Sequence, residues 1–194
     1  MEALKDRIRR EGKNLGNGIL KVDSFLNHQV DPALMLAAGG ALAAHFGALG
    51  INKVLTAEIS GIAPALNTAL ALGVPVVYGR KTKPITMPEN MFVATAPSHT
   101  KGKEVSLMVS PEFLHQGDTV LIIDDFLATG NTIMALIELA KQAGAEVVGV
   151  GAVIEKRFEG GRASLEAMGL RVRSLAMIDK MTDDEIVFAE GVSP

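Results

Sequence analysis

From Lys53 onward, short β-branched or aliphatic runs alternate with longer stretches of helical periodicity. That order builds a parallel sheet with crossover helices. KVLTA (Lys53–Ala57) predicts a strand leading into the turn EISG, and Ile62–Leu72 predicts a helix closed by Gly73. VPVVY (74–78) predicts the next strand. From Gly79 to about Lys103 helical periodicity is lost, the chain turns basic, and Pro84, Pro88 and Pro97 interrupt it. A long loop, or a loop on a hairpin, is expected there. EVSLMVS (104–110) alternates as a half-buried strand does, whereas TVLII (119–123) is apolar throughout, as suits a central strand covered on both faces. Asn131–Ala143 reads as a helix ended by Gly144, and EVVGVGAVI (146–154) as another buried strand. Residues 162–168 predict a short helix, RVRSLAMI (171–178) a last alternating strand, and the tail from Asp179 an acidic turn followed by an edge strand.

The N-terminal part reads differently. Residues 32–52 contain no acidic residue, lysine or arginine, which is the length of a membrane span. Yet the run is mostly Ala and Gly and holds His45 and Asn52, so a soluble, largely buried helix is expected. Asp31 can cap its orphan amides, and Pro32 suits the first helical position, where no donor is needed. The opening MEALKDRIRREG has no apolar signal core, so a cytoplasmic location without membrane insertion is the default. With 194 residues, 48% of them hydrophobic, the chain has the material for one α/β domain. The expectation is a doubly wound, mostly parallel sheet over residues 1–194 with a small N-terminal helical addition. A net charge of -3 argues against a general nucleic-acid binder. The absence of cysteine removes disulfides, thiolate catalysis and zinc–cysteine sites.

The chemistry concentrates in VLIIDDFLATGNT (120–132). Ligands of such sheets bind beyond the carboxyl ends of the strands, where Asp124 and Asp125 are expected to lie. Adjacent carboxylates repel unless a partner offsets the charge, and sugar hydroxyls or a hydrated divalent cation would be such partners. The following turn, Ala128, Thr129, Gly130, Asn131 and Thr132, offers amides and hydroxyls at a helix N-terminus, a seat for a phosphate. Together these suit a ribose 5-phosphate. Taken alone, a DD pair equally serves to end a strand and cap a helix.

The whole thirteen-residue run resembles the ribosyl-5-phosphate motif of the type I phosphoribosyltransferases. The resemblance implies that Asp124 and Asp125 contact the ribose hydroxyls of phosphoribosyl diphosphate and that residues 128–132 hold its 5-phosphate. EISG follows a strand and precedes a helix with Pro64 in its first turn, so Ser60 and Gly61 are candidates for the diphosphate seat, although an ordinary turn reads the same way. GRKTK brings Arg80, Lys81 and Lys83, either a solvated face or a cover for the leaving group that excludes water. Relatives often donate a loop lysine across a subunit interface, which implies a homodimer. Mg²⁺ is the implied cofactor, held mainly by substrate oxygens and water rather than by protein ligands.

GILKVDSFLNHQVDP (18–32) and VIEKRF (153–158) resemble the corresponding segments of bacterial xanthine phosphoribosyltransferases, and that likeness runs along nearly the whole chain. It implies an N-terminal hood within residues 1–35 over the purine, with Leu20 and Asn27 as base contacts and Lys156 on the exocyclic oxygen. Lysine only donates, so it suits a 6-oxo purine and opposes the 6-amino group of adenine. Phe158 or Phe126 offers a stacking face or is core. In hypoxanthine-guanine enzymes an aspartate of the phosphate loop is thought to act on N7; here the matching residue is Ala128. The purine is therefore expected to react as an anion, or to lose its proton to solvent. Guanine, hypoxanthine or adenine as the accepted base, or a non-catalytic sensor of phosphoribosyl diphosphate, are the alternatives. A dinucleotide-binding domain is not, because no G-x-G-x-x-G follows a strand.

Overall fold

The structure, a computed structural model, describes residues 1–97, 104–182 and 185–189. Its elements in chain order are α1 (Glu2–Glu11), β1 (Lys13–Asn14), β2 (Leu20–Lys21), a π-helical turn (Asp23–Asn27), α2 (Pro32–Phe46), β3 (Lys53–Ala57), α3 (Ile62–Leu72) and β4 (Val76–Gly79). There follow β5 (Phe92–Pro97), β6 (Glu104–Val109), β7 (Thr119–Leu127), α4 (Asn131–Ala143), β8 (Glu146–Lys156), α5 (Gly161–Ala167), β9 (Arg171–Met181) and β10 (Ile186–Phe188). The main sheet has the order β10-β9-β8-β7-β3-β4, parallel except for the antiparallel edge strand β10.

That order places the site. After β3 the chain crosses through α3 to β4 on one side, and after β7 it crosses through α4 to β8 on the other. The carboxyl ends of β3 and β7 are therefore neighbours whose loops diverge, which opens a crevice between them. The layer formed by α1, α2 and α3 packs one face of the sheet through Leu4, Ile8, Met35, Leu42, Val54 and Ile123. On the other face α4, α5 and the β5–β6 hairpin cover Leu55, Ile122, Leu127 and Val150.

Both helices with a glycine stop run as expected, because Gly73 (φ 71°) and Gly144 (φ 73°) adopt the left-handed conformation that ends them. Asp31 caps α2, accepting from the Leu34 amide at 3.0 Å. The expected helix over 32–52 is shorter and more exposed. It ends at Phe46, a 3₁₀ turn follows to Leu49, and only its inner face is buried, leaving Leu36 55% exposed. Pro75, which has no N–H to give the ladder, delays the strand expected at 74–78 to Val76, and that strand runs on to Gly79. The short helix expected over 162–168 occupies Gly161–Ala167. The basic stretch is a loop leading into the β5–β6 hairpin; residues 98–103 of it lie outside the described residues, as do 183–184 and 190–194 of the tail.

The largest difference concerns β7. It does not stop at Ile123 before the carboxylates but continues through them to Leu127. Its neighbour β8 is also longer than expected, and the ladder extends through Asp124 opposite Ala152, Phe126 opposite Ile154 and Leu127 opposite Glu155. Backbone partners on β8 hold the strand extended past the pair.

Candidate active site

A cleft of about 330 Å³ lies at the crevice, lined by Ala57 to Gly61 after β3, by Asp124, Asp125, Phe126, Ala128 and Gly130 to Ile133 after β7, and by Lys81 and Lys156. Two helix N-termini converge on it. Neither α3 (behind Gly61) nor α4 (behind Gly130) has a side-chain cap, in contrast to α2 with its Asp31 cap. Uncapped amides at two helix starts make two seats for anions, one on each side of the carboxylate pair.

The turn 128–132 is shaped by two glycines. Gly130 has φ 84°, a conformation costly for other residues, at the point where strand geometry becomes helix. Gly161, at the start of α5, lies so close beneath the turn that a Cβ there would stand 2.4 Å from the Ala128 carbonyl oxygen and 2.8 Å from the Gly130 nitrogen. Its own amide donates to the Ala128 carbonyl at 3.0 Å. The backbone of α5 thus props the turn, a role sequence reasoning missed; the Gly160-Gly161 pair before a helix is the signal that could have revealed it.

The two carboxylates occupy different surroundings. Asp124 is buried, and its carboxyl is pushed well above the ordinary aspartate range, first by burial and then by the neighbouring charge of Asp125. Its Oδ1 accepts from the Asp125 amide at 3.0 Å and lies 2.8 Å from where a Gly61 Cβ would stand, so the diphosphate-side turn is packed against it. Asp125 is half-buried and faces the N-terminal segment, where its Oδ2 accepts from Asn27 Nδ2 at 2.6 Å.

Around this pair the structure brings some expected residues together and turns others elsewhere. Ser60, Gly61 and Lys81 line the cleft with the carboxylates. Arg80 does not; its Nε pairs with Glu58 Oε2 at 2.9 Å, and the Lys81 amide donates to the same carboxylate. Arg80 instead borders a larger, more apolar hollow of about 450 Å³ between β4 and residues 109–115, which contains neither site carboxylate. Glu58 was not singled out from the sequence, although EISG carries it.

At the opposite rim, Lys156 closes β8, with its ammonium 3.1 Å from Glu159 Oε1 and 5.6 Å from the centroid of the Phe126 ring. Phe158 is 47% exposed, and its ring edge and Glu159 lie 3.8 and 3.6 Å from where a Cβ on Gly18 would stand. The turn at Gly18 therefore reaches the Lys156 end of the site, with Leu20 buried behind it. Glu155, the residue before Lys156, is 1% exposed and bound by two nitrogens of Arg162, at 2.8 Å (Nε) and 2.6 Å (Nη2). This pair fastens the end of β8 to α5, and so to the turn 128–132.

Among the described residues no three metal-ligating side chains cluster. The carboxylates on the cleft are Asp124, Asp125 and Glu58, the last already paired with Arg80.

The comparisons with known proteins agree with this geometry. The phosphoribosyl transferase domain model matches residues 31–180. The chain belongs to the phosphoribosyltransferase family. It is 52% identical over 190 residues to a xanthine phosphoribosyltransferase of Pseudomonas fluorescens (strain SBW25), covering 98% of this chain and 100% of the relative. It is 50% identical over 190 residues to another of that name from Pseudomonas entomophila (strain L48), again covering 98% and 100%. Among solved phosphoribosyltransferases, it resembles an adenine enzyme from Giardia lamblia complexed with 9-deazaadenine (TM-score 0.75, 26% identity, 91% of this chain and 98% of that one). The adenine phosphoribosyltransferase of Rhodothermus marinus superimposes with a TM-score of 0.73 at 27% identity over 92% of this chain and 100% of that one. A shared fold does not by itself fix the substrate, so likeness to adenine enzymes leaves the base open.

Proposed function

We propose that the protein transfers the 5-phosphoribosyl group of phosphoribosyl diphosphate to N9 of xanthine, giving xanthosine 5′-monophosphate and diphosphate, a step of purine salvage. The observation that carries the choice of base is Lys156. A donor-only ammonium on the same cleft as the carboxylate pair satisfies a 6-oxo group and opposes the amino group of adenine. The full-length likeness to relatives named for xanthine supports the same base.

In this reading Asp124 and Asp125 take the ribose hydroxyls, the turn 128–132 seats the 5-phosphate, and Ser60 and Gly61 with Lys81 receive the diphosphate. Arg80 joins them by exchanging the Glu58 carboxylate for a diphosphate oxygen. Within the single domain 1–194, the hood of residues 1–35 covers the base, which meets Leu20, Asn27, Lys156 and Phe158, with Phe126 beneath the ammonium. The N9 lone pair attacks C1 of the ribose as the bond from C1 to the diphosphate oxygen breaks. No carboxylate stands at Ala128, so the purine reacts as its anion or yields its proton to water. Rate then comes from holding N9 against C1 and from amides and cations aimed at the departing charge. Asp124 and Asp125 are the carboxylates that would help hold Mg²⁺, otherwise bound by substrate oxygens and water, and the ion would neutralise the diphosphate. A cytoplasmic homodimer completes the proposal; the exposed Tyr78 and, in the basic loop, Ile85 support an interface between copies.

The test is a set of initial rates with Mg²⁺ and phosphoribosyl diphosphate against xanthine, guanine, hypoxanthine and adenine. Preference for xanthine is expected. Turnover led by adenine would refute the role given to Lys156.

A further inference from the structure

The Asn27 side chain, expected on the base, is bonded to the carboxylate expected on the ribose. Its position is fixed from behind: the π-helical turn ending at Asn27 buries Phe25 and Leu26, and the Asp31 amide closes onto the Phe25 carbonyl at 3.0 Å. A primary amide has two N–H donors and a carbonyl acceptor. One N–H is used on Asp125 at 2.6 Å; the other N–H and the carbonyl remain for a second partner. We infer that Asn27 is a positioning residue that couples the two substrate sites, holding Asp125 for the ribose with one edge of its amide while the other edge meets the base.

The coupling has a physical reason. Asp125 stands beside the buried Asp124, so each ionised carboxylate disfavours the other. A donor on Asp125 offsets that repulsion and fixes the carboxylate's orientation, leaving its other lone pairs for sugar hydroxyls. Because the amide meets the base directly and the ribose through Asp125, each bound substrate steadies it for the other, and such coupling acts equally in both directions.

The inference rests on the proposed ribose role of Asp125 and base role of Asn27, and one experiment separates them. Binding of phosphoribosyl diphosphate with Mg²⁺, without any base, is measured by calorimetry for wild type, Asn27→Ala, Asn27→Asp, Lys156→Ala and Asp125→Asn. A residue that serves only the base leaves this binding unchanged. Asn27→Ala is expected to weaken it on the order of tenfold, the usual worth of a hydrogen bond to a charged group. Asn27→Asp, of the same size but adding a third carboxylate, is expected to weaken it further, and it decides the matter if the alanine variant disturbs the turn. Lys156→Ala is expected to bind like wild type. If both Asn27 variants bind like wild type while their xanthine KM rises, the coupling is refuted and Asn27 is a base contact alone. If Asp125→Asn also binds like wild type, the reading of the site itself fails.

Discussion

Removing one half of the Glu155–Arg162 pair tests how the base end and the phosphate end of the cleft are joined. Arg162 grips the buried Glu155 carboxylate with two nitrogens, and its remaining arm reaches Glu166 at 3.0 Å and the Val172 carbonyl at 3.1 Å. Arg162→Met keeps most of the apolar volume of the side chain but leaves Glu155 buried without its cation. Breaking a buried pair from one side costs about 3–5 kcal/mol. For a chain of this length each kcal/mol moves the melting temperature by about 2–4 °C, so a fall of roughly 6–20 °C is expected by circular dichroism. The loss should not be confined to stability. Glu155 pairs with Leu127 on β7 and precedes Lys156, while α5 holds Gly161 under the phosphate turn. The xanthine KM and the phosphoribosyl diphosphate KM should therefore rise together. Replacing both partners, as in Glu155→Leu with Arg162→Met, removes the unpaired charge and should recover much of the lost melting temperature. A single variant that melts within about 2 °C of wild type, or a double variant no more stable than the single one, would refute the reasoning.

Three further outcomes are expected. Because the folded carboxyl of Asp124 is raised above its unfolded value of 3.8, the native state binds more protons than the unfolded chain above that pH, and stability falls as pH climbs through the interval up to the raised value. Asp124→Asn removes this loss, so it should melt above wild type at pH 7, converge with it below about pH 4, and turn over poorly; a gap independent of pH would contradict the assignment. Gly161→Ala forces a Cβ against the Ala128 carbonyl, an overpacking of about 1–3 kcal/mol; phosphoribosyl diphosphate should bind more weakly while xanthine specificity stays, as competition assays with the four purines would show. Lys156→Ala should raise the xanthine KM about tenfold or more, as loss of a charged donor does; an equal loss for phosphoribosyl diphosphate in equilibrium binding would count against its role.

The sequence made visible what depends on neighbours along the chain. Asp31 before Pro32 and Gly73 and Gly144 after their helices are local signals, and each stands where it was expected. What depends on neighbours in space was hidden. The length of β7 is set by β8, and the orientation of Arg80 by Glu58, 22 positions earlier in the numbering. The contact between Asn27 and Asp125 spans 98 positions, and no periodicity announces it. Gly161 shows the same limit in miniature, because what makes it necessary is a carbonyl on another loop.

The hidden length of β7 also explains why two adjacent carboxylates can share the site. Had the strand ended at Ile123, Asp124 and Asp125 would sit together in a turn with like surroundings and little to separate their charges. Because the strand continues to Leu127, the two carboxylates meet different neighbours although both line the cleft. Asp124 turns inward against Gly61 and is driven toward its neutral form, while Asp125 turns to the N-terminal segment and takes a donor from Asn27. An unlike pair repels less than two equal charges would, and it can be held by the fold before any substrate arrives. In the proposed reaction, ribose hydroxyls and a cation would bring Asp124 partners that favour its ionised form, so the cost of its burial would be offset on binding rather than in folding.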